Sequence, residues 1–175
     1  MTPLLDSALV GEAAATPRPA APAAVLVLGV GNILMGDEGV GVHVIRRLER
    51  EPAATGVRLL DGGTGGVNLL GEFDGVRAIL LLDATRDGQA PGSITYLRPE
   101  RVGDLPRGLG AHDFGLKDLF AAGALLGTLP ELHLYTVSVG RIEPMCTTLS
   151  PPVAAALPAL VAAASAHAAK LVAGR

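Results

Sequence analysis

The chain has 175 residues, a length that suits one domain with a sizeable core rather than two. Hydrophobic residues make up 49% of it but aromatic residues only 3%, so the core must be built mainly from Val, Leu, Ile and Ala. The formal net charge of −3 and the lack of a Lys/Arg run argue against nucleic-acid binding. The single cysteine, Cys146, excludes an internal disulfide, which fits a cytoplasmic protein.

The first residues, Met1–Ala24, are rich in Ala and Pro. They lack a basic start, and Asp6 and Glu12 interrupt their apolar residues, which argues against a signal peptide. We therefore expect a disordered tail at residues 1–24 and one domain at residues 25–175.

The most informative segment is Val25–Gly41, where an apolar run leads into a glycine-rich turn and then into two acids. The run Val25–Leu28 predicts a parallel strand buried on both faces, and a helical pattern of apolar residues begins near Glu38. Phosphate-binding loops look similar, but helix N-termini bind phosphate through their positive potential. Asp37 and Glu38 at that position therefore indicate a cation rather than a phosphate.

The rest of the chain alternates between predicted strands and predicted helices, which is typical of a mostly parallel sheet covered on both faces. The link between the third and fourth strands is too short for a helical crossover, so we expect the fourth strand to be antiparallel and at or near an edge. The predicted strands are Val57–Leu60, Arg77–Asp83, Ser93–Leu97 and Leu132–Val139, and the predicted helices are Asn68–Phe73, Phe114–Leu126 and a last helix capped by Ser150 with Pro151 at its first position.

The uncharged stretch Met145–Ala169 is long enough to raise the question of a membrane span. Much of its apolar character comes from Ala, and prolines interrupt it. Its larger apolar side chains fall on one helical stripe, so we expect a soluble amphipathic helix and no membrane partner. The stripe consists of Val153, Leu157, Leu160, Val161 and Ala164.

Three possible metal ligands are expected at one edge of the predicted sheet. Ligands of open α/β sheets bind at the carboxyl ends of strands, where Glu38 and Asp83 are placed. The long loop Arg98–Asp113 returns from the far end of the antiparallel strand and can bring His112 to the same edge. Two carboxylates and an imidazole suit a divalent ion such as zinc or nickel and leave coordination positions open. We expect these ligands to be solvent-exposed.

Each candidate also has an ordinary structural explanation. Asp37 could be a helix N-cap, and Glu38 could favour the helix dipole. Asp83 could cap the next turn, and His112 could simply be solvated. Cys146 has no neighbouring base and is expected to be an ordinary, partly buried thiol. The remaining histidines are expected to be structural; they are His43, His133 and His167.

Several short segments occur together in a recognisable order between about residues 25 and 160. They are Gly29–Leu34 followed by Asp37–Gly41, then Leu60–Gly65, Leu82–Ala84, Pro91–Gly92, His112 ahead of Gly115–Leu116, and Glu143–Pro144 ahead of Leu149–Pro151. As a set they resemble the hydrogenase maturation endopeptidases, which process the large subunit of nickel–iron hydrogenases.

The resemblance implies a phosphorylase/hydrolase-like, three-layer α/β/α sandwich. Its mixed five-stranded sheet would have the order 2-1-3-5-4, with the fourth strand antiparallel. The resemblance also implies that Glu38, Asp83 and His112 are metal ligands and take part in catalysis. The metal could polarise the scissile carbonyl or activate a water, or a carboxylate such as Asp37 or Asp83 could act as general base. Cys146 departs from the residues common in relatives, as does Asp113 after the histidine, which bears on the identity of the substrate.

The function that the resemblance implies is site-specific proteolysis. Such an endopeptidase, aspartic-type by family classification, removes the C-terminal extension of a hydrogenase large-subunit precursor after nickel insertion. Nickel would be presented by the precursor, which is the expected partner. We expect a cytoplasmic monomer.

Two other functions remain open on the sequence alone. A non-catalytic, nickel-sensing maturation chaperone would use the same three ligands. A dinucleotide-binding Rossmann-like protein would use the strand–glycine–helix start and Asp61 after the second strand. Against the second alternative, Leu34 occupies the third glycine position of the dinucleotide motif, and Asp37 and Glu38 would repel a pyrophosphate.

Overall fold

A computed structural model of the chain describes residues 24–52, 54–106, 108–109 and 113–174. The strands are β1 (Val25–Val30), β2 (Val57–Gly63), β3 (Ala78–Thr85), β4 (Ile94–Leu97) and β5 (Glu131–Ser138), and the α-helices are α1 (Val40–Leu48), α2 (Asp113–Leu125) and α3 (Pro151–Ala173). Short 3-10 helices occur at Asp37–Gly39, Gly66–Phe73 and Val102–Asp104.

The five strands form one mixed sheet in the order β2-β1-β3-β5-β4. The pairs β1–β2, β1–β3 and β3–β5 are parallel, whereas β4 pairs with β5 in the antiparallel sense and lies at an edge. The predicted fold class, strand order and antiparallel fourth strand are therefore confirmed.

Helices cover both faces of the sheet and form the outer layers of a three-layer α/β/α sandwich. In β3, Leu80 and Leu82 pack in a core with residues of α1 and α3, whereas Ile79 and Leu81 pack in a second core with residues of α2. Alternate side chains of a strand point to opposite faces. Both faces of β3 are thus buried, which explains why its sequence is an unbroken apolar run.

Tight packing of α1 on the sheet depends on small residues. A Cβ atom at Gly41 would lie 2.2 Å from the carbonyl oxygen of Leu82, and one at Gly29 would lie 2.2 Å from that of Gly41. Both distances are far inside van der Waals contact, so these glycines allow the helix to lie directly on β1 and β3. The predicted helix near Glu38 begins as one 3-10 turn, Asp37–Gly39, before α1 starts.

Several predicted boundaries differ from the structure. The second strand continues past Leu60 to Gly63. The third strand continues past Asp83 to Thr85, because its pairing with β5 extends as far as Thr85 and Ser138. Ala24, placed in the predicted tail, already belongs to the domain, since its carbonyl oxygen accepts hydrogen bonds from the amides of Arg77 and Ala78. The rest of the predicted tail lies outside the described residues.

The last helix has its predicted start but not its predicted cap. Ser150 is the N-cap residue of α3 and Pro151 the first helical residue, yet the Ser150 side chain makes no capping hydrogen bond. The predicted apolar stripe packs against the sheet, with Val153, Leu160 and Ala164 fully buried. In the described part of the chain, one helix, α3, is long and apolar enough to cross a membrane, judged by length and composition alone.

Candidate active site

A small cleft of about 40 Å³ lies at the carboxyl ends of β1, β2 and β3. We call it the acidic cleft, because two of its lining side chains are the carboxylates of Glu38 and Asp83. The other lining residues come from the turns after β1 and β2, from the segment before α2 and from the start of α2; they are Val30, Gly31, Gly63, Thr64, Gly66, Leu109, Gly115 and Leu116. The sheet edge chosen from the sequence therefore holds two of the three predicted ligands together.

The position of Glu38 depends on the turn that follows β1. Gly31 has a φ of 127°, in the left-handed half of conformational space that favours glycine. A Cβ atom at Gly31 would lie 1.9 Å from the carbonyl oxygen of Glu38, so only glycine lets the 3-10 turn close over the end of β1. This packing leaves Glu38 with no exposed surface.

Asp83 reaches the acidic cleft from within β3 and is 1% exposed. One of its carboxylate oxygens, Oδ1, accepts a hydrogen bond of 2.7 Å from the amide of Ala84. The expectation that the ligands are solvent-exposed is wrong for Asp83 and Glu38, because the turns after β1 and β2 and the segment at Leu109 cover them. Two carboxylates in one small cleft repel each other, so a bound cation would stabilise the pair.

Asp37 is the neighbour of Glu38 but faces a different cavity. Its carboxylate accepts hydrogen bonds from the Ser150 amide at 2.6 Å and the Ser150 hydroxyl at 2.7 Å. Gly36 rather than Asp37 is the N-cap of the 3-10 turn, so the N-cap explanation of Asp37 is wrong. Asp37 lines a cavity of about 490 Å³, formed largely by residues 140–152, that we call the large cavity.

His112, the third predicted ligand, lies outside the described residues. The chain before it is fixed at the sheet edge, because Leu109 pairs with Thr85 and the Arg86 amide donates to the Gly108 carbonyl at 3.0 Å. The chain after it lines the acidic cleft again at Gly115. Within the described ranges, no group of three or more His, Cys, Asp or Glu side chains could hold a metal ion. The complete three-ligand site therefore stays a prediction.

A cluster of two histidines and two tyrosines lies on β4, β5 and α3, and it was not apparent from the sequence because its members are far apart along the chain. The Tyr96 hydroxyl is 2.8 Å from His133 Nδ1, and the Tyr135 hydroxyl is 3.3 Å from His167 Nδ1. The two imidazole ring centres are 4.9 Å apart. Burial is the main cause that lowers the pKa of both histidines. A structural role, as expected for these histidines, fits these contacts.

Cys146 lines the large cavity as a partly buried free thiol. Its Sγ atom is 3.4 Å from the carbonyl oxygen of Thr148 and 3.5 Å from the Thr148 hydroxyl. This environment matches the expectation of an ordinary, partly buried thiol.

Comparison with known proteins supplies the family. Residues 42–167, more than half of the chain, match the sequence profile described as hydrogenase maturation protease. The chain belongs to the hydrogenase maturation protease family. It is thus a member of a family of site-specific proteases. Asp83 lies within the matched residues and Glu38 lies just before them.

Individual relatives support the same assignment. The hydrogenase expression/formation protein HupM of Azotobacter chroococcum mcd 1 is 39% identical over 147 residues, which cover 79% of this chain and 69% of HupM. The hydrogenase 2 maturation protease of Escherichia coli (strain K12) is 38% identical over 124 residues, covering 69% of this chain and 76% of the relative.

Solved structures of the family share the fold. The hydrogenase maturating endopeptidase HybD from E. coli superimposes with a TM-score of 0.76 at 35% identity, covering 83% of this chain and 92% of HybD. The [NiFe] hydrogenase maturation protease HybD from Thermococcus kodakarensis gives a TM-score of 0.69 at 29% identity, and the alignment covers 82% of this chain and 98% of that protein. The sandwich described above is thus the fold of these proteases.

Proposed function

We propose that this protein is the endopeptidase that removes the C-terminal extension of a nickel–iron hydrogenase large-subunit precursor once nickel has been inserted. The observation that carries the proposal is the pair of buried carboxylates, Glu38 and Asp83, in one cleft at the carboxyl edge of the sheet. That pair occurs in a chain of the maturation protease family, whose relatives include a hydrogenase 2 maturation protease.

Nickel would reach the acidic cleft as part of the precursor. Glu38 and Asp83 supply the oxygen ligands that divalent ions accept, and we propose His112 as a nitrogen ligand. Leu109 and Gly115 both line the cleft, and each is three residues from His112 along the chain. Because three residues span at most about 10 Å, the chain length is compatible with the proposal that His112 reaches the cleft.

The acidic cleft suggests two ways to activate the scissile bond. Precursor-bound nickel could polarise the carbonyl or lower the pKa of a water. Alternatively, a carboxylate such as Asp83 could take the proton of the attacking water, and the enzyme would then be aspartic-type. In both cases Glu38 and Asp83 orient the precursor, and fixing the reacting groups is itself a large part of the rate enhancement.

Asp37 suits a positioning role better than that of general base. Both of its carboxylate oxygens accept hydrogen bonds from Ser150, and it lines the large cavity rather than the acidic cleft. We propose that it fixes the turn that carries Glu38.

Incubation of the purified protein with nickel-loaded precursor tests the proposed function. Mass spectrometry should show one new C-terminus and the released extension. If the precursor binds but keeps its full mass, the non-catalytic chaperone is the correct function. A dinucleotide-binding role is disfavoured because the loop after β1 leads into the buried carboxylates of Asp37 and Glu38, which would repel a pyrophosphate. The monomeric state and the cytoplasmic location remain predictions.

A further inference from the structure

Two loops are joined by backbone hydrogen bonds at the edge of the candidate active site: the first loop, residues 31–36, follows β1, and the second loop, residues 139–149, follows β5. The Gly36 amide donates to the Cys146 carbonyl at 2.8 Å, and the Cys146 amide donates to the Leu34 carbonyl at 3.2 Å. Gly36 also forms an antiparallel bridge with Ile142. Because the first loop continues directly into Asp37–Gly39, the pair of loops is fixed relative to Glu38.

These loops present two apolar side chains to solvent. Met145 is 88% exposed and Leu34 is 51% exposed, although most large apolar side chains of the described chain are buried. The hydrogen bonds of Cys146 and Leu34 hold the two side chains on neighbouring loops. We call the surface made by Leu34 and Met145 the rim surface.

Met145 also has an unfavourable backbone conformation. Its φ of 60° makes it the one non-glycine residue with a positive φ in the part of the chain that the structure describes. A side chain with a Cβ atom is disfavoured there, and glycine would adopt this conformation more easily. Residues held in such conformations concentrate at functional sites. Because Met145 is both exposed and strained, we infer that its side chain has a functional role.

We propose that the rim surface docks the precursor, by contact with an apolar patch of that protein next to its scissile segment. The inference rests on the proposed function, because the precursor is the protein that must approach the acidic cleft. Leu34 lines a surface cavity together with Gly31, Gly63 and Thr64, and these three residues also line the acidic cleft, so the rim surface continues into the site. A flexible methionine side chain adapts well to a partner surface.

The charge near the rim surface favours a protein partner over an anionic polymer. Arg141, the basic residue of the second loop, forms an ion pair with Glu143 at 2.9 Å. The rim surface therefore offers a partner mainly the apolar side chains of Met145 and Leu34.

Steady-state cleavage of nickel-loaded precursor by loop variants tests the inference. Met145→Ser and Leu34→Ser should each raise KM, by roughly tenfold if the side chain is fully buried in the complex, and leave kcat nearly unchanged. Leu125→Ser is the matched control, because Leu125 is also 88% exposed but lies at the far end of α2 from the acidic cleft. Its KM should equal that of the wild type.

Met145→Gly separates docking from structural support. Glycine relieves the strained φ, so the melting temperature should stay the same or rise, yet KM should rise as it does in Met145→Ser. Met145→Leu keeps an apolar side chain and should retain most of the wild-type KM.

The outcomes distinguish this inference from the proposed function. A wild-type protein that never shortens the precursor overturns the proposed function and, with it, this inference. Cleavage by the wild type combined with an unchanged KM in Met145→Gly and Leu34→Ser overturns the docking role alone.

Discussion

Asp37 and Ser150 are 113 residues apart along the chain, yet the amide and the hydroxyl of Ser150 both donate to the Asp37 carboxylate, at 2.6 and 2.7 Å. This contact joins the 3-10 turn that carries Glu38 to the N-terminus of α3. It also explains why the Ser150 hydroxyl does not cap its own helix. A buried carboxylate thus fixes one wall of the site.

Replacing Asp37 should reduce stability and activity together. Asp37→Ala leaves the partly buried Ser150 amide without its acceptor and should lower the free energy of unfolding by about 1–3 kcal/mol, measured by urea denaturation. Asp37→Asn keeps an oxygen that can accept from that amide and should recover most of the stability and cleavage. An Asp37→Asn variant that is fully stable but inactive would show instead that Asp37 is the general base.

Glu38 and Asp83 should behave in the opposite way. Because both carboxylates are buried in one cleft, Glu38→Gln and Asp83→Asn remove charge repulsion and should leave the melting temperature unchanged or higher. Each change should reduce precursor cleavage by at least about a hundredfold, since the replaced group no longer binds a cation or accepts a proton. Cleavage at the wild-type rate by either variant would exclude that residue from the site. Alanine variants are less informative, because they also leave a buried gap.

Acid should weaken the packing of β5 against α3. Burial lowers the pKa of His133 and of His167, with the Glu131 carboxylate opposing the effect at His133. From about pH 6.5 downward, the unfolded chain therefore binds more protons than the folded chain at these two sites. Their contribution to stability is complete above that pH and is lost as the pH falls towards the lowered folded-state values.

Urea denaturation at several pH values between about 5 and 8 checks this sign. The free energy of unfolding should fall towards the acid side in the wild type, and the fall should be smaller in a His133→Gln, His167→Gln double variant. An identical pH dependence in both proteins would contradict the assignment of the effect to this pair.

The sheet was predictable from the sequence because its signals are local. Unbroken apolar runs such as Val25–Leu28 mark strands buried on both faces, and the short connection before β4 requires an antiparallel strand. The full strand order was expected from the family resemblance. The last part of β3 was missed because the pairing of Thr85 with Ser138 depends on a strand far along the chain.

The position of Glu38 and Asp83 at one sheet edge was predictable from the sequence, but their environment was not. Charged side chains are normally exposed, so the complete burial of Glu38 was unexpected and follows from the turn closing at Gly31. The Asp37–Ser150 contact joins two elements that no local pattern connects. The left-handed backbone of Met145 was equally unreadable, because no glycine marks it.

We propose that this protein recognises nickel in its substrate before it cleaves. The most direct measurement is the mobility shift of precursor incubated with metal-free enzyme, with one sample of precursor loaded with nickel and the other free of it. Coordination by the acidic cleft would bring the scissile segment to the catalytic groups, so we expect cleavage of the nickel-loaded precursor alone. Equal cleavage of both samples would contradict it and indicate an acid protease that needs no metal in its substrate.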